Sequence, residues 1–159
     1  MQTYTPSTIV STGGLRHVAW ANASSIVTGG SATVTLGPSQ VSGQLQATGF
    51  GVAAQTSPPL GLQVLFGASD TPAPDGQCQD LTVTLLRGGG RIVGAVNRAA
   101  HQEWTGQLTY GVGQLDTWGL VLTWDLLSDP TFGVTATVNE VLGGTALAAT
   151  TAISLIVYW

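Results

Sequence analysis

Ala152-Ile-Ser-Leu-Ile-Val-Tyr-Trp159 closes the sequence. Side chains alternate faces along an extended chain, so Ile153, Leu155 and Val157 share one side, and Ile156 and Tyr158 the other. A terminal segment apolar on both sides is expected to be paired and covered, because frayed ends are normally polar. The stretch therefore reads as a strand integral to a sheet. One of its faces fills a core; the other meets a loop of the same chain or a second subunit.

Working back from that strand, the same period-two signal recurs. Ala32-Thr-Val-Thr-Leu36, Leu45-Gln-Ala47, Gly61-Leu-Gln-Val-Leu-Phe66, Leu81-Thr-Val-Thr-Leu-Leu-Arg87, Gln107-Leu-Thr-Tyr-Gly-Val112 and Gly133-Val-Thr-Ala-Thr-Val138 all carry it. Arg91-Ile-Val-Gly-Ala-Val96 reads as the return of a hairpin turned at Gly88-Gly-Gly90. Helix is scarce, since Gly, Thr and Val disfavour it. Thr123-Trp-Asp-Leu-Leu-Ser128 suits one turn, with Thr123 as cap, Asp125 in the first turn and Pro130 beyond the end. Residues 69–80 read as an exposed loop, and residues 1–16 as an arm preceding a sandwich domain over residues 17–159. Many short strands between Gly, Pro and Ser turns predict an all-β protein, an antiparallel, jelly-roll-like β-sandwich of about eight strands.

Charge is the unusual part of the composition. Only 8% of the 159 residues are charged, against about 25% in an ordinary soluble domain. Lysine is absent, so Arg16, Arg87, Arg91 and Arg98 are the only formal cations among the side chains, and the net charge is −4. No basic stripe offers nucleic acid its footprint. No apolar run reaches the length of a membrane-spanning helix. The opening Met-Gln-Thr-Tyr-Thr-Pro lacks the basic and apolar regions of a secretory signal. So neutral a surface, with a mean hydropathy of +0.30, suits a chain packed against neighbours, and an extracellular domain also fits.

Groups able to do chemistry are few. His17 stands beside Arg16, and His101 two residues before Glu103. On a strand, His101 and Glu103 would share a face and could hold a metal or polarise a water. No further ligand is nearby, so a polar loop is the simpler expectation. Asp70, Asp75 and Asp80 are spaced by five, unlike the alternating oxygens of a calcium loop. Asp125 and Asp129 resemble a carboxylate pair but suit capping. Cys78 is alone and reads as a small loop residue. Asn22-Ala-Ser24 matches a glycosylation sequon. Neither a nucleophile elbow nor a phosphate loop occurs, so no catalytic residue, metal ligand or cofactor is expected. The five tryptophans allow two readings: core or interface packing, or a sugar-stacking platform made by Trp20, Trp104 and Trp124.

The order of short motifs adds a resemblance. Trp20-Ala-Asn22, Gly49-Phe-Gly51, a Gly-Leu-Gln-Val strand at 61–64, Trp104 before Tyr110-Gly111, Trp118-Gly119, Phe132-Gly-Val134 and the closing Val157-Tyr-Trp159 follow one another over residues 18–159. This series resembles a β-sandwich module common in virion proteins of tailed bacteriophages. The chain departs from that pattern at Ala152, where an Asp often precedes the last strand, and at Trp159, where a Tyr is usual. The resemblance implies a virion component and transfers no catalytic residue. The resulting expectation is a capsid decoration or cement protein, a homotrimer contacting itself and the major capsid protein, with no nucleic acid and no membrane. Tyr4, Ile9, Val10, Arg16, Arg87, Arg91, Tyr158 and Trp159 are the expected contact residues. The alternative is a tail-fibre or baseplate domain that stacks host sugars on its tryptophans.

Overall fold

The computed structural model describes residues 1–72 and 76–159, and Asp75 lies outside that set. Among the described residues, ten strands form two antiparallel sheets. In the first sheet, β10 (Ala146–Tyr158) pairs along one edge with β1 (Gln2–Tyr4) and β3 (Ala32–Leu36), and along the other with β5 (Gly61–Pro72). β8 (Gly106–Tyr110) closes this sheet beyond β5. The second sheet runs β2 (Thr8–Thr12), β4 (Gln44–Thr48), β9 (Gly133–Glu140), β6 (Cys78–Arg87) and β7 (Gly90–Arg91). The chain crosses between sheets at almost every connection, so neither sheet forms without the other.

The closing strand behaves as its pattern demands. Ile153, Leu155 and Val157 are buried, while Ile156 and Tyr158 on the opposite face are half-exposed. A bulge between Thr150 and Ala152 shifts its register against β5. This extra residue moves inward-facing positions from even numbers (Ala146, Ala148, Thr150) to odd ones. Facing this strand across the sandwich, β4, β6 and β9 contribute Leu45, Ala47, Val83, Leu85, Val134 and Ala136, all fully buried. At the centre, Trp104 packs on Phe66 at 5.4 Å and on Trp20 at 6.4 Å, and Phe66 meets Tyr110 edge-on at 5.7 Å. Tilted and edge-on contacts of this kind add to the area term.

Several segments differ from the sequence-based expectation. Residues 1–16 are no detached arm: they lay β1 on the first sheet and β2 on the second, burying Tyr4 and Ile9. Three- and five-residue strands at sheet edges carry too little alternation to be read alone. Of the expected loop at 69–80, residues 69–72 belong to β5 and 78–80 to β6. The hairpin return stops at Arg91, and residues 92–96 turn away through Gly94, whose φ of 90° leaves the strand region. A 3-10 helix over Ala23–Thr28 adds a second helical turn. The first was legible: α1 (Trp124–Leu127) is capped by Thr123, whose side chain accepts from the Leu126 N–H at 3.2 Å.

Two motif glycines explain themselves sterically. A Cβ at Gly133 would lie 1.9 Å from the Ala47 carbonyl oxygen, so only glycine lets β9 approach β4 there. At Gly119, φ is 78° and a Cβ would meet Val96 and the Gly94 carbonyl near 3 Å.

Candidate interaction surface

The loop from Gly111 to Leu122 leaves β8 at one end of the sandwich and is built around one carboxylate. Asp116 accepts hydrogen bonds from the Val112 N–H (2.7 Å), the Trp118 N–H (2.8 Å) and the Arg98 guanidinium (2.5 Å). Its side chain is 1% exposed and that of Arg98 25%. Burial opposes ionisation of Asp116, but the two amides and the guanidinium outweigh it and hold the carboxyl below the ordinary range. The loop backbone also joins the first sheet, because the Leu62 N–H donates to the Asp116 carbonyl at 2.9 Å.

Trp118 fixes the loop a second time. Its ring is fully buried and its indole N–H donates to the Leu62 carbonyl at 3.1 Å. Its φ of 54° is left-handed, a conformation costing a bulky residue about 1–3 kcal/mol. Burial of the indole and the bond to Asp116 offset that cost, and Gly119 beside it continues the left-handed turn. The Val96 N–H in turn donates to the Trp118 carbonyl at 2.9 Å, bringing loop 92–98 alongside.

What this braced loop shows to solvent is apolar. Val112 and Val121 are each 86% exposed and Leu115 is 74% exposed. Val93, at 96%, lies on the adjoining loop, and Leu60 at the foot of β5 is 47% exposed. Trp124 and Trp159 stack edge-on at 6.0 Å, each half-buried, and the Trp124 indole donates to the Ser57 carbonyl at 2.9 Å. Singly exposed apolar residues need no explanation, but Val112, Leu115 and Val121 all fall within one loop braced by Asp116 and Trp118.

Charge, meanwhile, is largely spent inside the fold. Asp80, fully buried, accepts from the Ala100 and Gln102 N–H groups. Glu140 takes the N–H groups of Ser39, Leu142 and Gly144, which hold its carboxyl below the usual range against the opposing effect of burial. Asp70 accepts from the Cys78 N–H, yet burial raises its pKa. Asp129 is bound by the Thr131 hydroxyl and N–H and by Arg87, and is lowered to about 2.

The expected site residues scatter. Tyr4 and Ile9 are in the core, so neither can meet a partner, whereas Val10 is 43% exposed on β2. Arg87 is tied to Asp129 at 2.6 Å, and Arg91 gives a hydrogen bond to the Ala95 carbonyl. Arg16 and His17 are exposed at the opposite end of the sandwich from Trp159. Tyr158 donates to Gln63 at 2.6 Å. Trp20 and Trp104 are 4% and 0% exposed, their indoles satisfied by the Gly43 and Ala149 carbonyls. That removes two of the three rings from any stacking platform. His101 and Glu103 lie in a loop facing solvent, with His101 at φ 56° rather than on a strand. Cys78 faces inward from β6, and burial pushes its thiol up to about 12. Asp125 is exposed while Asp129 serves the turn, so the two do not act as a pair. Among the described residues no three potential ligands converge on a metal position, and no helix is long and apolar enough to cross a membrane.

Sequence reasoning missed the exposed loop residues entirely. Val112 falls in the expected strand over 107–112, Leu115 opens the segment Leu115-Asp-Thr-Trp-Gly-Leu120, whose Gly punctuation suggests a strand but which is bends and turns, and Val121 carries no motif. The usable signal is Asp116 between Leu115 and Thr117, followed by Trp118-Gly119. No family model matches the sequence, and no curated protein matches it.

Proposed function

We propose that this chain is a structural protein of a phage particle, a jelly-roll sandwich that cements or decorates the shell by contact with sister copies and with the major capsid protein. The jelly-roll assignment rests on strand order. β3–β10–β5–β8 face β4–β9–β6–β7, and the chain alternates between the two sets as paired Greek keys require. The virion assignment rests on the motif series of residues 18–159 and on the near-absence of surface charge.

One observation carries the mechanism: Val112, Leu115 and Val121 are presented on a loop already fixed by Asp116 and Trp118. Interfaces lose affinity to the ordering of their loops, and a prepaid order avoids that loss. Standard interfaces bury about 1,600 Å² with apolar centres. A trimer seated on this end, with Trp124 and Trp159 at its margin, adds such contacts across seams of a shell without any reaction. Particles lacking the chain are then expected to release their contents at lower temperature than complete ones. Equal heat stability together with failed adsorption to cells would replace cementing with receptor binding.

A further inference from the structure

The outward face of the second sheet holds a depression that the loop end does not account for. Alternation along β4, β9 and β6 sends Gln46, Thr135 and Thr84 outward, and the register places them side by side, Gln46 opposite Thr135 and Thr135 opposite Thr84. An outward row on a two-layer sandwich is normally wet. Here Thr84 and Thr135 are each 4% exposed and Gln46 7%. Loop 92–98 folds back along the β6 edge, with the Val83 N–H donating to Asn97 Oδ1 and the Arg98 N–H to the Val83 carbonyl, both at 2.8 Å. The result is a cavity of about 160 Å³ with these buried residues at its floor and Gln44, Arg91 and Asn97 at its rim. That is well above the ~10–15 Å³ that one water needs on the same measure, so the depression has room for a small polar ligand.

Its floor is chemically incomplete. Thr82 and Thr137 in the neighbouring row satisfy each other, hydroxyl to hydroxyl at 2.7 Å. The Thr135 hydroxyl, buried and lining the cavity, has no partner among the described residues. A buried hydroxyl left unpaired is a net cost to the fold, and one that a ligand hydroxyl would remove. No carboxylate lines the cavity, so a cation finds no anionic ligand. The one charged group, Arg91, already gives a hydrogen bond to the Ala95 carbonyl at 2.6 Å. Hydroxyls and carboxamides that both donate and accept make up the rest of the polar lining, and Leu86 adds an apolar contact.

We propose that this depression is a binding site for a single neutral sugar residue, whose hydroxyls donate and accept in the way the lining does. The site lies on a sheet face and does not depend on the assembly surface. Chemical-shift titration of the full chain with glucose, galactose, mannose and N-acetylglucosamine, each to high millimolar concentration, tests it. At least one sugar should shift the amides of Gln46, Thr84 and Thr135 saturably. Thr135→Val should weaken that sugar roughly tenfold, one hydrogen bond's worth, while melting no lower than the parent protein, because the deleted hydroxyl has no partner in the free state. Thr135→Ser should keep the affinity. Absence of any shift with all four sugars, or parental affinity in Thr135→Val, would overturn the proposal.

Discussion

Trp20, Trp104 and Trp118 are buried in the core, none more than 4% exposed, whereas Trp124 and Trp159 lean on each other at one end with a face in water. The three interior rings each donate their indole N–H to a backbone carbonyl of another segment: Gly43, Ala149 and Leu62. They thus tie segments together as well as filling volume. The Trp124–Trp159 pair covers one end and ties only the loop at Ser57. One residue type therefore serves two regions in different ways, and substitutions should separate them.

The largest effect is expected in the interior. Trp104→Ala empties the space against Phe66 and Trp20 and orphans the Ala149 carbonyl, which should cost about 3–5 kcal/mol; the denaturant midpoint checks it. Asp116→Ala comes next. It leaves two loop amides and the Arg98 guanidinium without their acceptor, a loss on the order of 2–3 kcal/mol given that Arg98 keeps access to water. Unlike Trp104→Ala, it should also loosen residues 111–121 selectively in hydrogen exchange.

Acid should act through the same loop-bracing carboxylates. Asp116, Asp129 and Glu140 all have pKa values held below their ordinary ones. Their folded forms prefer ionisation, so the stability they contribute is complete above about pH 5 and is lost as pH falls through the depressed values, reaching about 2 for Asp129. Asp70, raised by burial, works in the opposite sense and recovers a part. A melting series from pH 6 to pH 2.5 should fall by several degrees, and a flat profile would remove the carboxylates from the account. Trp159→Ala, at the exposed end of the comparison, should cost only about 1 kcal/mol, measured by the same melting assay.

The division between interior and rim was partly legible in the sequence. Period-two alternation located β3, β4, β9 and the second half of β10, because each alternates apolar residues facing the core with polar or less buried ones on the other face, even where, as at Gln46 and Thr135, that outer face is itself covered. It failed for β1 and β2, too short to show a period, and for residues 92–96, where five apolar or small residues mimic a strand but Gly94 turns the chain. The motif series proved to be structural: Trp20, Phe50, Trp104, Trp118, Phe132 and Val134 are all buried. Such residues report first on the fold, and they bear on function only through the resemblance that their order carries. The candidate surface was illegible because exposed valines and leucines look like core residues until the backbone places them. Only Asp116, a lone carboxylate before Thr117-Trp118-Gly119, marked the spot.

The proposal turns on whether that end of the molecule joins copies together. Val112→Ser, Leu115→Ser and Val121→Ser combined should leave the melting point nearly unchanged, each exposed substitution being worth no more than about 0.5 kcal/mol. Sedimentation equilibrium of this variant beside the parent chain is the decisive measurement. The account predicts a parent that sediments as a trimer and a variant that sediments at the 16.2 kDa of one chain. A parent that stays monomeric at every concentration, or a variant that associates as the parent does, would contradict it.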